Sequence, residues 1–582
     1  MTDDSEFKPR LYQLNARDQI ISNLEQNGQK VFLILLPTGM GKTLIATLIL
    51  DILLEQEKIQ PNEKVLFLVQ DRKLKYQLFD MAKKYGLAEH GYLFLLDEQK
   101  TLPLQMARQH SAMAKFLFTT PVLLMNAVIG KTRRIEKNTL DCVKVIIIDE
   151  ILDIFAQSYG KRRGREETVQ YIESKFGNGR TFETIIHDLK QELVTSEVVD
   201  HEIDEKRLED FVIREFSAQN YRLNKKYEPI LNLLDLLNPT SERIVIGLTA
   251  ALSQDAKIDL LTKTFGGEER VARIHPIGDD FEDHKPAYHL RRIRVFDDWV
   301  SKIDALITTI KGNLIKTINK AYEIITGRPQ IPGDRVLLFI TDLLAKKELQ
   351  QKMLKKLNGD EHRTSLFLST AKAYLLITVA RQHLLESTFP SFQKFIKGIT
   401  NKTLSNNPEF ATITQEVAER AAANLPDEKE KRLLYWLERF IKEEKQVLVM
   451  CRFVDTTKHL VDVATRSSIP STNVHGGLTG QMQHDRIKAF KAGDVKVLFA
   501  SERLIEKGTD LPEADIGIYY GTTLSLERYE QSLGRIRSTI RNIKTFYTIS
   551  YNQTVEAEKS LKRDTMFLQL IGKKLGTIID VS

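Results

Sequence analysis

One segment constrains the fold more than any other: an apolar run, a glycine-containing loop and a helical pattern that follow one another directly. The run is Val31–Leu35, and the loop reads Pro37-Thr38-Gly39-Met40-Gly41-Lys42-Thr43. Backbone N–H groups in such a loop point at an anion at the positive end of the helix dipole, and glycine lets the backbone approach phosphate oxygens. The segment therefore predicts a phosphate-binding strand–loop–helix unit, although Leu36 stands where the full pattern has glycine.

Four side chains in and near this loop carry the expected chemistry. Lys42 would hold the β- and γ-phosphates, and the Thr43 hydroxyl would ligate Mg²⁺. The apolar run Val145–Ile148 is followed at once by Asp149 and Glu150. We expect Asp149 to bind Mg²⁺, directly or through water, and Glu150 to orient and deprotonate the attacking water. The alternative is a strand that ends in a solvated acidic loop.

Two series of strand-length apolar runs predict two α/β domains. The first series is Val31–Leu36, Val65–Val69, Val145–Ile148 and Ile244–Gly247. The second is Val447–Cys451, Val495–Ala500 and Ile516–Tyr520. Because the runs alternate with helical patterns, they predict parallel sheets that helices cover on both faces. A chain of 582 residues is also too long for one compact core.

The stretch between the two series predicts helices. Apolar residues across Trp299–Ile325 recur at steps of three and four, which gives a helix with one apolar face, and Leu366–Leu385 reads as another long helix. A charged insertion with helical patterns separates Asp149 from Gly247. We therefore expect a first α/β domain over 1–290 with a helical insertion at about 155–240, a helical insertion over 291–431, and a second α/β domain over 432–582.

A basic segment near the far end, Tyr529–Arg537, could complete the nucleotide site. ATP hydrolysis needs positive charge that arrives only when the site closes. Arg535 and Arg537 lie on the second α/β domain and could meet a site built on the first. The alternative is a basic helix face in solvent.

Composition narrows the setting. The net charge of +7 is mixed in sign, so it permits a phosphate-backbone partner without demanding one. No run approaches the ~20 apolar residues that span a bilayer, and the acidic, polar segment Met1–Lys8 is no signal peptide. Cys142 and Cys451 have no metal-ligand spacing. We expect a soluble, cytoplasmic protein without a membrane partner.

These segments resemble, in chain order, the motifs of superfamily 2 helicases. Motif I is matched by Pro37–Thr43, motif II by Asp149-Glu150, motif III by Gly247-Leu248-Thr249-Ala250, motif V by Phe499-Ala500-Ser501 with Glu506–Asp515, and motif VI by Gln531–Arg537. Lys8–Gln13 ahead of the loop, with the helical insertion, is most similar to archaeal Hef and its eukaryotic relative FANCM, and RIG-I-like helicases share that layout. Motifs V and VI look closer to the XPB/UvsW type.

The resemblance implies a fold and an activity. The fold is α/β, with two tandem RecA-like domains and an α-helical insertion between them. The activity is that of an ATP-dependent helicase or translocase with ATP and Mg²⁺ as cofactors, and without a Hef-type nuclease domain. The nucleic-acid partner is expected to be duplex or branched DNA, gripped by the helical insertion as by a thumb.

The resemblance also implies residue roles. At the nucleotide it places the loop residues Pro37–Thr43 and, beyond them, Arg10, Gln13, Gly508 and Asp510. In catalysis it adds Gln531 to Lys42, Asp149, Glu150, Arg535 and Arg537. On the nucleic-acid backbone it places Arg72, Leu74, Gln77, Thr119, Thr120, Arg452, Gly476, Gly477 and Ser501.

Three positions depart from the family pattern. Leu152 stands where motif II has histidine or aspartate, so a polar link to motifs III and VI is missing. Gln70-Asp71 replaces the common proline-threonine of motif Ia. The second motif VI arginine would fall at Ser538, but arginine stands at 537. These departures bear on motor coupling more than on ATP binding.

Other functions remain open at this point. An RNA or double-stranded-RNA helicase fits the same motifs, because backbone contacts dominate the grip on either nucleic acid. An ATP-gated nucleic-acid-binding scaffold fits if Leu152 and Ser538 mark a lost motor. A P-loop GTPase is the most distant alternative, since no Asn-Lys-x-Asp motif is present.

Overall fold

The computed structural model describes most of the chain. The described residues are 9–37, 40–69, 72–96, 103–130, 134–157, 165–176, 179–195, 206, 208–209, 212–213, 221–224, 226–249, 255–276, 278–284, 287–331, 336–423, 425, 427–502, 504, 511–521, 529, 532–536, 538, 542–552, 554–566 and 578–581. Within these ranges, no helix is both long and apolar enough to cross a membrane.

The first lobe is built on seven parallel strands. The strands of this sheet are β1 (Val31–Leu35), β2 (Lys64–Leu68), β3 (Leu93–Leu95), β4 (Phe116–Thr119), β5 (Val143–Asp149), β8 (Ile244–Thr249) and β9 (Val271–Ile274). Two short strands, β6 (Phe155–Gln157) and β7 (Tyr221–Leu223), pair with each other outside the sheet. The sheet order is β3-β4-β2-β5-β8-β1-β9. Its central strands are buried along their whole length, as expected for a parallel sheet covered on both faces.

Helices flank this sheet and connect its strands. They are α1 (Leu11–Gln26), α2 (Lys42–Glu55), α3 (Arg72–Lys84), α4 (Leu104–Met113), α5 (Pro121–Val128), α6 (Lys137–Asp141), α7 (Arg165–Phe176), α8 (Phe182–Thr195), α9 (Glu228–Leu233), α10 (Asp255–Thr264) and α11 (Asp279–His284). Helices α7 and α8 lie within the insertion predicted at about 155–240, and the antiparallel strands β6 and β7 pair at its base, a pairing that was not expected from the sequence.

The second lobe carries another sheet of seven parallel strands. These are β10 (Tyr288–Val295), β11 (Val447–Cys451), β12 (Ser471–Val474), β13 (Val497–Ser501), β14 (Ile516–Tyr520), β15 (Lys544–Tyr551) and β16 (Ile578–Val581), in the order β12-β13-β11-β14-β15-β10-β16. The two sheets confirm the predicted fold class.

The boundary predicted at residue 290 falls inside β10 and needs correction. This strand pairs in parallel with β15 from Tyr288 to Val295 and with β16, so it belongs to the second sheet. Its sequence alternates apolar residues with His289, Arg291 and Arg294, which hid it from a search for continuous apolar runs. The chain therefore enters the second lobe before it forms the helical insertion.

The helical insertion between β10 and β11 packs on one face of the second sheet. Its helices are α12 (Asp298–Thr326), α13 (Val336–Ala345), α14 (Lys347–Lys356), α15 (Glu361–Glu386), α16 (Phe389–Lys397), α17 (Lys402–Ser405), α18 (Pro408–Ala422) and α19 (Glu428–Lys442). The Asp297 carboxylate accepts from Trp299 N and Val300 N and begins α12, and Gly327 ends it at φ 79°. Residues of α12 and α15 share one apolar core with β10 and β11.

Among the described residues, the second lobe has three further helices with defined bounds. They are α20 (Val454–Arg466), α21 (Gly480–Ala492) and α22 (Val555–Met566). Helix α22 packs against α8 of the insertion in the first lobe, so the opposite face of the second sheet is covered partly by residues of the first lobe.

Candidate nucleotide site and nucleic-acid interface

The strand order brings the two predicted halves of the nucleotide site together. Strand β8 lies between β1 and β5, with Leu35 opposite Thr249 and Asp149 opposite Leu248. Because all three strands are parallel, their carboxyl ends meet at one edge of the sheet. The phosphate loop after β1 and the carboxylates after β5 therefore face each other across the end of β8.

The phosphate loop closes on the start of helix α1. Gly41 precedes α2 with a φ of 80°, a left-handed conformation that favours glycine, and a Cβ there would lie 2.3 Å from Gln13 Nε2. Gln13 Nε2 and the Tyr12 hydroxyl donate to Met40 O at 3.1 and 2.8 Å. Thr38 and Gly39 lie outside the described residues. Gln13 thus holds the backbone of the phosphate loop at Met40.

The lysine and the carboxylates of the site face each other. Lys42 Nζ lies 3.9 Å from Glu150 Oε1 and donates to Leu36 O at 3.2 Å. Glu150 has a φ of 49°, a left-handed conformation that is uncommon for a residue with a Cβ. Such a conformation persists only where surrounding structure enforces it, and it concentrates at functional sites. Thr43, at the first turn of α2, is half-buried beside them.

Asp149 is the most perturbed acid of this site. Burial, and next the neighbouring Glu150 carboxylate, raise its pKa to about 6, while the charges of Lys42 and Arg535 act in the opposite direction. Arg535 belongs to the second lobe, in a 3₁₀ turn at Gly534–Ile536. Its guanidinium is therefore close enough to the first lobe to act on Asp149 across the cleft.

The other motif VI positions are only partly described. Gln531 and Arg537 lie outside the described residues. Ser538 is buried, and its hydroxyl donates to Ala287 O and accepts from Lys544 N at 2.8 Å. A long arginine side chain would not fit in this place, so the structure gives a packing reason for serine where the family pattern has its second arginine.

Motif III is joined to motif II by contacts other than the family's fourth position. Thr249 Oγ1 donates to Glu150 Oε2 at a long 3.5 Å. A Cβ on Gly247 would lie 2.5 Å from Ile151 Cδ1, so this glycine permits close packing of β8 against the turn after Glu150. Leu152 is 3% exposed and lies in the apolar core of the first lobe.

On the first lobe, the predicted nucleic-acid positions are partly enclosed. Thr119 and Thr120 lie where β4 ends and α5 begins, and both are buried. Thr119 Oγ1 donates to Thr120 O at 3.2 Å, and Thr120 Oγ1 accepts from Leu123 N at 3.4 Å and caps α5. Arg72 and Gln77 lie on α3, but their side chains are outside the described part. The two threonine hydroxyls thus have structural partners within the protein.

On the second lobe, the predicted positions differ in exposure. Gly476 and Gly477 are exposed after β12, whereas Ser501 is buried where β13 ends. Arg452 donates through Nη1 to the buried Glu386 carboxylate of α15. Gly508 and Asp510 lie outside the described residues. Arg10 of the first lobe is exposed beside Tyr12 and its Nη1 lies 3.5 Å from the Tyr12 hydroxyl.

Three residues of these sites were not predicted as members. Tyr12 bonds the phosphate loop, Thr249 reaches Glu150, and Glu386 holds Arg452. Tyr12 lies within the motif segment Lys8–Gln13 and Thr249 within motif III, so the sequence carried a signal for both residues. Glu386 lies 66 positions before Arg452 and has no local signal.

Two family models match the chain. The first, described as "Type III restriction enzyme, res subunit", matches residues 6–183. The second, described as "Helicase conserved C-terminal domain", matches residues 428–539. The first contains the phosphate loop and Glu150, and the second contains Arg535. The two matched regions therefore hold the two sides of the site.

Among curated proteins, the chain is similar to helicases over part of its length. DEAD-box ATP-dependent RNA helicase 35B of Oryza sativa subsp. japonica is 27% identical over 38% of this chain and 37% of that protein. Probable ATP-dependent RNA helicase ddx41 of Dictyostelium discoideum is 26% identical over 40% of this chain and 35% of that protein. The matched region thus spans little more than a third of each relative.

Among solved structures, the Pyrococcus furiosus Hef helicase domain has a similar fold. The TM-score is 0.55 at 18% identity, and the alignment covers 95% of this chain and 97% of that one. At this identity the likeness shows the fold, which includes both lobes and the helical region between them.

Proposed function

We propose that this chain, which carries both ATP-dependent helicase domains of superfamily 2, is a nucleic-acid-stimulated ATPase that translocates on or remodels duplex-containing DNA. The observation that carries the proposal is the meeting of Lys42, Glu150 and Asp149 of the first lobe with Arg535 of the second. A site divided between two lobes links nucleotide chemistry to lobe movement. Nucleic acid that bridges the same two lobes then drives, and is driven by, hydrolysis.

Each side chain has a step that its position supports. Lys42 leaves Leu36 O and Glu150 to hold the phosphates of bound ATP, and Glu150 is then left as the carboxylate that receives a proton from the attacking water. Arg535 meets the negative charge that develops on the γ-phosphate. In related nucleotidases an arginine of this kind contributes roughly 10³–10⁵ in rate.

The donor set around Asp149 fits Mg²⁺. Asp149 and Glu150 place two carboxylates side by side, and burial together with the charge of Glu150 raises the pKa of Asp149. Thr43 lies in the first turn of the facing helix α2 and offers a hydroxyl oxygen. Mg²⁺ prefers oxygen ligands and binds through one or two carboxylates together with substrate phosphates. Bound Mg²⁺ would neutralise phosphate charge.

The helical insertion supports a grip on substrate. Helix α14 of the insertion exposes Lys347, Lys352 and Lys355 along its length. Clustered lysines attract the phosphate backbone without reading sequence. This surface gives the insertion the role of a thumb on duplex or branched substrate.

The choice of DNA rests on the Hef-like arrangement of lobes and insertion. An RNA helicase is the second candidate, because the curated relatives are named as RNA helicases. ATPase rates with single-stranded DNA, duplex DNA, forked DNA and duplex RNA at one salt concentration separate the two. Stimulation by forked or duplex DNA above duplex RNA supports the first candidate, and the reverse order supports the second.

Active-site variants test the chemistry independently of substrate. Lys42→Ala and Glu150→Gln are both expected to abolish hydrolysis, but Glu150→Gln keeps ATP binding because the phosphate contacts remain. Retained turnover in Glu150→Gln would remove this residue from the base role. An ATP-gated scaffold would instead show nucleic-acid binding that depends on ATP, with no turnover in the wild type.

A further inference from the structure

The insertion that follows Glu150 is fastened to the first lobe at its root. Its two ends meet where β6 and β7 pair in antiparallel fashion, with Gln157 opposite Tyr221. Asn224 N donates to Ile154 O at 2.6 Å, and Ile154 is fully buried in the core of the first lobe. The insertion therefore begins directly after the turn that follows Glu150, the proposed catalytic base.

The head of the insertion packs into the second lobe. Phe182, Ile185, Ile186 and Leu189 recur at helical spacing on α8 and are at most 5% exposed. They belong to the same apolar core as residues of the second sheet, among them Tyr288, Leu290, Tyr519 and Phe546. The first lobe thus supplies part of the covering layer of the second sheet.

Helices α7 and α8 form one unit rather than two separate contacts. The Glu173 carboxylate of α7 accepts from Phe182 N at the start of α8 at 2.7 Å, which links the two helices. Ile172 of α7 is fully buried in the same core as α8.

We propose that helices α7 and α8, with the paired strands β6 and β7 at their base, form an intramolecular strap that holds the second lobe beside the ATP site when no nucleic acid is bound. The proposal rests on the proposed function, since it assigns regulation to that same site. A second attachment between two modules raises the effective concentration of one at the other. The strap thereby keeps Arg535 near Asp149 and sets the rate of hydrolysis without nucleic acid.

Nucleic acid makes the strap dispensable. A substrate that spans both lobes provides a second attachment of its own, so the advantage of the strap disappears at saturation. Loss of the strap should therefore lower the basal rate and raise the nucleic-acid concentration needed for half-maximal stimulation. The maximal stimulated rate should stay within about twofold of wild type, because the chemistry itself is unchanged.

The test compares substitutions on the two faces of α8 in the full chain. Leu189→Asp places a charge in the shared core, and Leu189→Ala is the milder variant that keeps the core apolar. His187→Asp adds the same charge on the exposed face and serves as the control. Basal ATPase should fall at least about tenfold in Leu189→Asp, less in Leu189→Ala and not in His187→Asp.

Energy transfer between the lobes gives a readout that does not depend on activity. Cys142 is exposed on the first lobe, and Ser467 is exposed at the end of α20 on the second. The remaining thiol, Cys451, is buried, and burial raises its pKa to about 12, so dyes attach at Cys142 and at Ser467→Cys. Transfer should fall and broaden in both Leu189 variants without nucleic acid and recover when it is added.

The outcomes separate this inference from the proposed function. Equal energy transfer and basal rate in wild type and Leu189→Ala, with Leu189→Asp also unchanged, overturn the strap even if nucleic acid stimulates the enzyme. A wild type that nucleic acid does not stimulate overturns the proposed function, while the transfer measurements still decide the strap. Equal losses in His187→Asp would also overturn it, because the effect would then come from charge on α8 and not from its docking.

Discussion

The buried, ionised carboxylate of Asp149 should lower the stability of the folded protein at neutral pH. Replacement of Asp149 by asparagine should therefore raise that stability. In the folded protein its pKa lies at about 6, against an ordinary value of 3.8. Each tenfold change in a protonation equilibrium corresponds to about 1.4 kcal/mol, so ionised Asp149 costs about 3 kcal/mol of folding free energy. Asparagine keeps the shape of the side chain without the charge. Asp149→Asn should therefore unfold later than wild type while losing ATP hydrolysis.

The pH dependence follows from the same shift. An acid whose pKa is raised on folding binds its proton more tightly in the folded state, so stability falls as pH rises from about 3.8 to about 6. The advantage of Asp149→Asn is then complete at pH 7.5 and shrinks as pH falls through this window. Arg535 and Lys42 already oppose the shift, so a variant that removes either should enlarge the advantage.

The assay measures urea unfolding of the first lobe within the full chain at pH 7.5 and pH 5, in EDTA and without nucleotide. Asp462→Asn is the control, because Asp462 is exposed on α20, and it should change stability by less than about 0.5 kcal/mol. Asp149→Asn that is no more stable than wild type at pH 7.5 would refute the reasoning. An equal gain at pH 7.5 and pH 5 would refute its link to ionisation.

Three further predictions concern catalysis, the phosphate loop and the grip on substrate. Arg535→Ala should lower single-turnover hydrolysis by roughly 10³-fold or more with ATP binding nearly unchanged, and Arg537→Ala should cost far less; equal losses would contradict this order. Gly41→Ala should weaken ATP binding, since alanine is strained at a φ of 80° and its Cβ would displace the Gln13 amide that holds the loop, as a nucleotide titration can show. Removing Lys352 and Lys355 by alanine should flatten the salt dependence of duplex binding by about 0.9 per lost phosphate contact, whereas alanine at Lys445, an exposed lysine just before β11 and outside helix α14, should leave it unchanged.

Local segments of the sequence were enough for the nucleotide-binding half of the site. The apolar runs before Pro37 and Asp149 are strands because a buried parallel strand tolerates only apolar side chains on both faces. The order of residues at their ends then fixes where Lys42 and Glu150 can lie. Gly41 could be recognised because a left-handed turn before a helix strongly favours glycine, which has no Cβ.

Strand β10 and Ser538 were harder to interpret. The first was hidden because its arginines lie among apolar residues on a strand whose neighbours come from the far end of the chain. The second is a short polar residue whose burial against Ala287 depends on that same strand. Neither the sequence of β10 nor Ser538 forms a continuous apolar run. The environment of each is made by residues about 250 positions away.

By itself, the sequence determined two parallel α/β lobes, a helical region between them, a phosphate loop and its facing carboxylates, because these depend on period, glycine and strand ends within a few residues. Only the tertiary structure decided that Arg535 acts on Asp149, that Glu386 holds Arg452, and that α8 packs into the second lobe. An apolar helix face indicates that it will be buried but not what will bury it. The partner is set by the packing of the whole chain, since many apolar surfaces satisfy the same pattern.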